Sequence, residues 1–415
     1  MARTRSDNHY DIVVAGGGMI GTCLALAIAP LGLRVAVVEA MPRTAAKQPS
    51  FDDRSTALSR STQRMFVAIG LWGEIAATAT PISHIHVSDK GRFGFAHIDA
   101  DEQRVEALGY VVINRTLGKV LQTALGRVQT LEMLCPARIV DISLSPETAT
   151  AVVKDAGGQT KELTCDLLIA ADGADSAVRG MMGIPATQIS YGQRAVIGNM
   201  LPEKSLQNCA YERFTESGPI ALLPVADDRA GFVWAVSEQD ADRVLGLGED
   251  AFLSELQTAF GYRLGTFSRV GKRSAYPLSL SKASRLIAQR SVLIGNAAHG
   301  LHPVAAQGFN LGLRDVASLC DCIADAHQQS SAVDIGDVKM LDRYAQLRRS
   351  DQRNLVLLTD GIVRLFGRSS RPARILRNIG MLGFDLIPGV RSLFAKHTMG
   401  MAGHLPRLSR GLPLQ

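Results

Sequence analysis

The chain has 415 residues, a hydrophobic fraction of 46% and a charged fraction of 20%, which exclude a disordered chain and predict two or three packed domains. Its formal net charge of +6 comes from residues 355–415, where nine basic residues stand against two acidic ones. Six scattered cysteines without a C-x-x-C pair argue against a zinc site and favour reduced thiols in a cytosolic compartment. The sequence has no run of about eighteen apolar residues, so we expect no transmembrane helix.

The first predicted unit spans residues 11–39 and combines a strand, a glycine-rich turn, a helix and a second strand. Gly16, Gly18 and Gly21 have the spacing G-x-G-x-x-G after the first strand. Gly16 permits the tight turn, Gly18 lets backbone N–H groups approach a pyrophosphate, and Gly21 lets the helix pack closely on the strand. Glu39 ends the second strand, where it is placed to accept hydrogen bonds from the ribose hydroxyls of a dinucleotide. This order of elements predicts a dinucleotide site.

Further along the chain, polar residues stand next to predicted strand and helix ends. Arg54 precedes a helix predicted over residues 58–69, and Arg115 lies at a predicted strand-to-helix junction. Both are candidates for contact with a phosphate or a flavin edge, although an isolated arginine is more often a surface residue. Asp172 and Gly173 follow an apolar strand, at the edge where open α/β sheets bind ligands. A tight turn that merely requires Gly173 is the alternative.

Residues 191–280 have a different pattern, because short strand-like runs and turn residues replace the alternation of strands and helices. We interpret this region as a separate, mostly antiparallel β domain that supplies a wall of a cavity beside the cofactor. Tyr211, Arg213 and Trp234 are its candidate cavity-facing residues, although each of these residue types is more often simply packed.

The chain returns to the nucleotide-binding pattern at residues 291–315, where a buried strand is followed by a long helix predicted over residues 307–326. Free N–H groups at the start of this helix would stabilise a negatively charged flavin pyrimidine edge, and Asn296 is placed to bond a ribityl hydroxyl. Because a late strand completes an N-terminal site, the domain is expected to be discontinuous. The candidate cofactor residues here are Gly295, Asn296, Pro303, Gln307, Gly308, Phe309 and Asn310.

Three motifs carry a resemblance to a known family, namely GGGMIG with Glu39, DGADS, and GNAAHGLHPVAAQGFNLGLRD. They resemble the flavoprotein monooxygenases of the para-hydroxybenzoate hydroxylase fold. DDRSTALS, YGQRAVIGN and YERFTESGPIALLP are most similar to the ubiquinone-biosynthesis hydroxylases, the branch that includes 2-polyprenyl-6-methoxyphenol hydroxylase. The similarity runs from residue 11 to about residue 325 and is looser afterwards.

The resemblance implies an α/β fold with a discontinuous Rossmann-like FAD-binding domain, a mostly antiparallel β substrate domain and a C-terminal helical segment. We expect the FAD-binding domain to comprise residues 1–185 and 284–345, the β-rich substrate domain residues 186–283, and a basic amphipathic helical tail residues 346–415.

The resemblance also implies a cofactor and a reaction. FAD would be bound by a set of residues already singled out, Gly16, Gly18, Gly21, Glu39, Arg54 and Arg115, with Asp172 near the pyrophosphates. NADPH or NADH would reduce the flavin, and O2 would then form a flavin hydroperoxide that hydroxylates the aromatic ring of a polyprenyl phenol precursor in ubiquinone biosynthesis. The chain departs from the family at Asn296, where most members carry Asp, and at Ala306, where a glycine is common. We still expect FAD to bind.

Electrophilic hydroxylation is faster on a phenolate, so a base near the substrate oxygen would help. His299 and His302 are the candidate catalytic residues because they are nearest in sequence to the flavin loop, and spacing identifies no carboxylate partner for either. Two other functions remain open. One is hydroxylation of another aromatic or flavin reduction on the same fold, and the other is a non-catalytic scaffold that holds FAD or lipid in a biosynthetic complex.

The basic residues of the C-terminal segment alternate with Leu, Ile, Phe and Met. This pattern favours a helix at an anionic membrane surface over a nucleic-acid-binding arm. An ordinary helical cap with a solvated basic face explains the same residues equally well. With the polyprenyl substrate that the resemblance implies, we expect a cytoplasmic protein that is peripheral on the inner membrane; the resemblance also implies partners in a ubiquinone-biosynthesis complex.

Overall fold

The structure is a computed structural model that describes residues 7–42, 54–91, 95–301, 307–329, 334–367 and 388–414. Its strands, in chain order, are β1 His9–Ala15, β2 Val35–Val38, β3 Ser55–Ser59, β4 Thr80–Ile82, β5 His84–Asp89, β6 Phe95–Asp99, β7 Gly109–Ile113, β8 Leu131–Leu134, β9 Ala137–Leu144, β10 Ala149–Asp155, β11 Thr160–Ala170, β12 Ala186–Pro202, β13 Cys209–Phe214, β14 Pro219–Pro224, β15 Ala230–Ser237, β16 Phe267–Val270, β17 Ser274–Ala283, β18 Ile287–Ala288, β19 Ser291–Leu293 and β20 His299–Gly300. Its helices are α1 Met19–Ile28, α2 Arg60–Ala68, α3 Trp72–Ala76, α4 Asn114–Leu125, α5 Ala177–Met181, α6 Glu238–Gly246, α7 Glu249–Phe260, α8 Gln307–Gln329, α9 Val338–Gly367 and α10 Pro388–Thr398.

The N-terminal sheet contains five parallel strands in the order β19, β11, β1, β2 and β8. Its central strands are continuous apolar runs because both faces of the sheet are covered. Helices α1 and α8 pack in the core on one face, and the antiparallel β9–β10 pair contributes to the core on the other. This is the predicted Rossmann-like architecture.

The chain leaves the parallel sheet after Ala170 and returns to it at Ser291, so that β19 pairs in parallel with β11. Strands β11, β1 and β2 therefore end beside one another, and β19 ends beside them although it comes from 120 residues later. The expectation of a discontinuous Rossmann-like domain is confirmed. The carboxyl ends of these four strands form one edge, where open α/β sheets bind ligands.

A second sheet of nine strands has the order β20, β17, β12, β15, β14, β13, β5 and β6, with β16 paired to β12. Its pairs are antiparallel except for β13 with β5. Helices α6 and α7 cover one face and form a core with the residues that alternate toward them. The sheet also takes strands from outside residues 186–283, since β5, β6 and β20 belong to it.

A small sheet in the order β3, β7, β4 lies between the two larger units. The helix predicted from residue 58 begins two residues later, because Ser59 ends β3 and its hydroxyl accepts a hydrogen bond from the Thr62 N–H. Such a side-chain cap satisfies a donor that a helix start leaves free.

Helix α9 packs along α8, and the predicted boundary at residue 346 falls inside α9. Over the ranges that the structure covers, no helix combines the length and the apolar character that crossing a membrane requires.

Candidate active site

The glycine turn after β1 is held by contacts that leave no space for side chains. Gly16 has a φ of +101°, and a Cβ atom there would lie 2.5 Å from the Ala171 carbonyl oxygen. A Cβ atom at Gly21 would lie 1.9 Å from the Gly16 carbonyl oxygen. Gly18 is the N-cap of α1 and has no side chain to occupy the first N–H groups of the helix. The turn therefore presents backbone donors at the sheet edge, as an anionic pyrophosphate requires.

Glu39 follows β2 at the same edge, beside the glycine turn. Its Oε2 atom accepts a hydrogen bond of 2.7 Å from the Gly17 N–H, and its Oε1 atom accepts one of 2.7 Å from the Met41 N–H. These two bonds fix a half-buried carboxylate next to the helix start. The position suits recognition of a ribose hydroxyl pair adjacent to a pyrophosphate.

Asp172 lies just after β11, and its carboxylate forms hydrogen bonds with nearby residues. Its carboxylate accepts hydrogen bonds from the Ser176 hydroxyl and from the Val178 N–H, at 3.2 Å for the latter, so that it caps the start of α5. Arg179 donates to the Ala297 carbonyl oxygen at 2.9 Å, which ties the segment after β11 to the one after β19. Asp172 thus supports the edge, and any contact with FAD remains a prediction.

Arg54 and Arg115 are brought near each other by a backbone hydrogen bond of 2.9 Å from the Asn114 N–H to the Arg54 carbonyl oxygen. The Arg54 guanidinium lies 4.6 Å from the ring centroid of Tyr276 on β17, which is a cation–π distance. Arg115 is exposed in the first turn of α4. The two candidates therefore lie at the small sheet, Arg54 beside β17 and Arg115 at the start of α4.

The turn after β19 is fixed by a buried acid that the sequence did not single out. Asp315 on α8 is fully buried, and its Oδ2 atom accepts hydrogen bonds from the Gly295 N–H at 3.0 Å and from His299 at 2.6 Å. Its Oδ1 atom accepts from Arg348 at 2.7 Å and from Gln352 at 3.1 Å. Burial alone would raise the pKa of Asp315, but His299 and Arg348 outweigh it and hold the pKa well below the usual range.

This network gives His299 a partner that spacing could not identify, and His299 itself is only 2% exposed. Such a buried, paired imidazole orients the turn that carries Gly295, so its proposed role as substrate base gains no support from the geometry. Asn296 follows Gly295 in a 3₁₀ turn and is exposed at the edge. His302 and Pro303 lie outside the described residues.

The first residues of α8 are anchored by their side chains. The Asn310 side chain accepts hydrogen bonds of 2.8 Å from the Ser59 N–H and the Thr62 hydroxyl, and it donates one of 2.9 Å to the Ala57 carbonyl oxygen. Gln307 is buried and donates to the Thr398 carbonyl oxygen at 3.1 Å. Phe309 packs against the core of the parallel sheet, whereas nothing lies within 4 Å of a Cβ placed at Gly308.

A family model described as FAD binding domain matches residues 9–357 of this chain. The chain belongs to the FAD-binding domain family. The residues of the edge fit this cofactor, because the glycine turn excludes side chains and the start of α1 has no side-chain cap beside the fixed Glu39 carboxylate. The cofactor of this FAD-binding protein is thus FAD.

Relatives of the FAD-binding chain match it over nearly its whole length. Ubiquinone hydroxylase UbiL of Rhodospirillum rubrum is 36% identical over 412 residues, which cover 99% of this chain and 94% of the relative. The 3-demethoxyubiquinol 3-hydroxylase of Escherichia coli is 29% identical and covers 94% of this chain and 98% of its own. Among solved structures, p-nitrophenol 4-monooxygenase PnpA from Pseudomonas putida has a TM-score of 0.77 at 19% identity, covering 95% of this chain and 100% of that one. The last similarity shows a shared fold.

The three cavity-facing candidates of the β region are placed elsewhere by the strand alternation. Trp234 belongs to the core beneath α6 and α7, and its ring centroid lies 5.8 Å from that of Phe252 on α7. Tyr211 packs its ring 6.0 Å from Phe260, also on α7. Arg213 is two residues from Tyr211 on β13 and shares its face. The expectation that these residues face the cofactor cavity was wrong, because the sequence does not show which face of the sheet the helices cover.

Proposed function

We propose that this protein is an FAD-dependent monooxygenase that hydroxylates the aromatic ring of a polyprenyl phenol precursor in ubiquinone biosynthesis, with NADPH or NADH as the reductant and O2 as the oxygen donor. The observation that supports it best is the 36% identity to a ubiquinone hydroxylase over 99% of the chain. The similarity to 3-demethoxyubiquinol 3-hydroxylase supports the same substrate class. Four of the candidate residues, Gly16, Glu39, Asp172 and Gly295, follow the ends of neighbouring parallel strands, which supports FAD binding at this edge.

Bound FAD supplies the redox chemistry that activates oxygen, and the residues of the chain bind, orient and shield it. Gly16, Gly18 and Gly21 would hold the pyrophosphate, and Glu39 the adenosine ribose. Asp315 fixes the Gly295 turn, and Asn310 joins the start of α8 to β3, so that the flavin-facing backbone keeps its geometry. Such support, built from buried side chains, fixes the geometry of the site before the cofactor binds.

The test is to incubate the purified protein with a prenylated phenol in detergent, O2 and each nicotinamide in turn. We expect flavin absorbance that bleaches under a nicotinamide without oxygen and recovers in air, and a product that carries labelled oxygen from O2. Bleaching and recovery without labelled product would indicate a flavin reductase instead. A protein that binds no flavin even after FAD is added would overturn the proposal.

We also propose that the C-terminal segment contacts an anionic membrane surface, from which a prenylated substrate would enter. Leu393 on α10 is 59% exposed, Leu357 on α9 is 60% exposed, and Lys396 is exposed one turn beyond Leu393. Apolar side chains flanked by cations are the features that bind an anionic bilayer surface.

Point variants test this contact better than truncation, because a cut after residue 351 would divide α9 and remove Gln352, a partner of the buried Asp315. We expect Leu393→Asp to lower co-sedimentation with anionic vesicles. Val338→Asp, at a site 62% exposed at the start of α9, serves as the matched control and should leave it unchanged. Equal binding by both variants and the wild type would refute the contact at α10.

A further inference from the structure

Glu212 is a carboxylic acid whose place on β13 the proposed function does not explain. Its neighbours Tyr211 and Arg213 point to the face that α7 covers. Ala210, two residues before Glu212, packs instead with Ile82 and Val111 of the small sheet. Because side chains alternate along a strand, Glu212 shares the face of Ala210.

The surroundings of Glu212 on this face are apolar. In the register of the sheet Glu212 lies opposite Ala221 on β14, which lies opposite Val233 on β15, and Val233 in turn lies opposite Ile197 on β12. Val233 and Ile197 pack in a small apolar cluster on that face. One carboxyl group therefore stands beside a row of small aliphatic side chains.

This face of the large sheet is turned toward the FAD-binding side. A Cβ atom at Gly231 would lie 2.4 Å from the hydroxyl oxygen of Ser55 on β3. Tyr276, opposite Ala195 on the same face, lies beneath the guanidinium of Arg54. Since Asn310 joins β3 to the start of α8, β3 lies between this face and the predicted flavin-binding helix start.

Within the described residues, the Glu212 carboxyl has neither a hydrogen-bond partner nor an ion pair, although the residue is half-buried. Desolvation raises its pKa from 4.5 to about 7. An acid without a partner on an apolar surface opposes folding, and such groups cluster at sites where a ligand supplies the missing partner.

We propose that Glu212 accepts the hydroxyl proton of the phenolic substrate, so that the aromatic ring lies over the aliphatic row and reacts as a phenolate. In this step the O–H bond of the phenol breaks, its electron pair stays on the phenol oxygen, and the proton forms a new O–H bond with the Glu212 carboxylate. The proton returns to solvent before the next turnover. A phenolate ring is the better nucleophile toward an electrophilic oxygen. The assignment rests on the proposed function for its substrate.

The test combines rate and binding measurements on the FAD-loaded enzyme. Loss of a general base lowers the hydroxylation rate by roughly 100-fold or more. We therefore expect the kcat/KM of the wild type to fall below about pH 7, and Glu212→Gln to lower kcat by about that factor and to abolish this fall. Glu212→Asp, which keeps the carboxyl one methylene further away, should retain the pH dependence at a reduced rate. Glu216→Gln, an exposed site on the same hairpin, is the matched control and should match the wild type.

Binding provides a readout that does not depend on turnover. The wild type should bind phenol roughly 10-fold more tightly than anisole, its methyl ether, which has no proton to donate, whereas Glu212→Gln should lose this preference. If the wild type hydroxylates a prenylated phenol but Glu212→Gln keeps its rate, its pH profile and its preference, the assignment of Glu212 is overturned. If the preference depends on Glu212 while no phenol is hydroxylated, Glu212 binds the phenol as inferred and the proposed function fails instead.

Discussion

The glycine turn allows a prediction whose size follows from a single distance. In Gly21→Ala the added Cβ would start 1.9 Å from the Gly16 carbonyl oxygen, whereas ordinary van der Waals contact begins at 3.4 Å. Helix α1 would have to move about 1.5 Å away from β1, but its residues from Gly21 to Ile28 are buried in the core of the parallel sheet. Overpacking of this kind costs about 3 kcal/mol, and the lower entropy of the unfolded alanine chain returns about 1 kcal/mol.

We therefore expect Gly21→Ala to lose about 2 kcal/mol of stability and to be purified with little FAD, because the shift also displaces the donors at the helix start. The measurements are urea unfolding and flavin absorbance per mole of protein. Gly180→Ala in α5 is the matched control, since nothing lies within 4 Å of its Cβ and it should gain about 0.5–1 kcal/mol. A Gly21→Ala protein with full flavin content and the stability of the control would refute the steric argument.

Three further predictions follow from other contacts. Gly308→Ala should be at least as stable as the wild type, since its Cβ meets nothing within 4 Å, yet should bind FAD more weakly in a titration, because the flavin is proposed to lie against α8. Arg348→Met should lower the free energy of unfolding in urea by about 3 kcal/mol, because it leaves the buried Asp315 carboxylate without its cation. Arg343→Met should lower it by less than about 1 kcal/mol, because the Arg343 side chain is 52% exposed. Because folding raises the pKa of Glu212 from 4.5 to about 7, the free energy of unfolding of the wild type should decrease as the pH rises from 4.5 to 7. Glu212→Gln should remove roughly 3 kcal/mol of that decrease.

The order of local signals was enough to predict the parallel sheet and its ligand-binding edge. Strand, glycine turn, helix and terminal acid occur within 29 residues, so the contacts of Gly16, Gly21 and Glu39 are nearly local. The return of the chain at β19 was also predictable, because a buried strand and a helix start follow each other there. The glycine turn, the position of Glu39 and the return at β19 all follow from residues that are close together in the sequence.

Features that depend on long-range pairing were not predictable in the same way. In the buried network, Asp315 is 16 residues beyond its partner His299, and Arg348 is 33 residues beyond Asp315. No sequence periodicity links the three residues. The face of β13 that meets the cofactor side is decided by where α7 packs, so alternation alone could not distinguish Glu212 from Tyr211. Alternation along β13 shows which of its side chains share a face, but not which face packs against α7.

The pairing of β19 with β11 also has a consequence for how the protein is made. When a ribosome has released the first glycine turn and β11, the neighbour of β11 on one side is still unsynthesised, and about 120 residues of another sheet must come first. Contacts between such distant segments form slowly, and an unpaired strand is prone to wrong association. We expect a nascent chain that ends before residue 291 to expose the flank of β11, and chaperone capture to be strongest in that interval of synthesis.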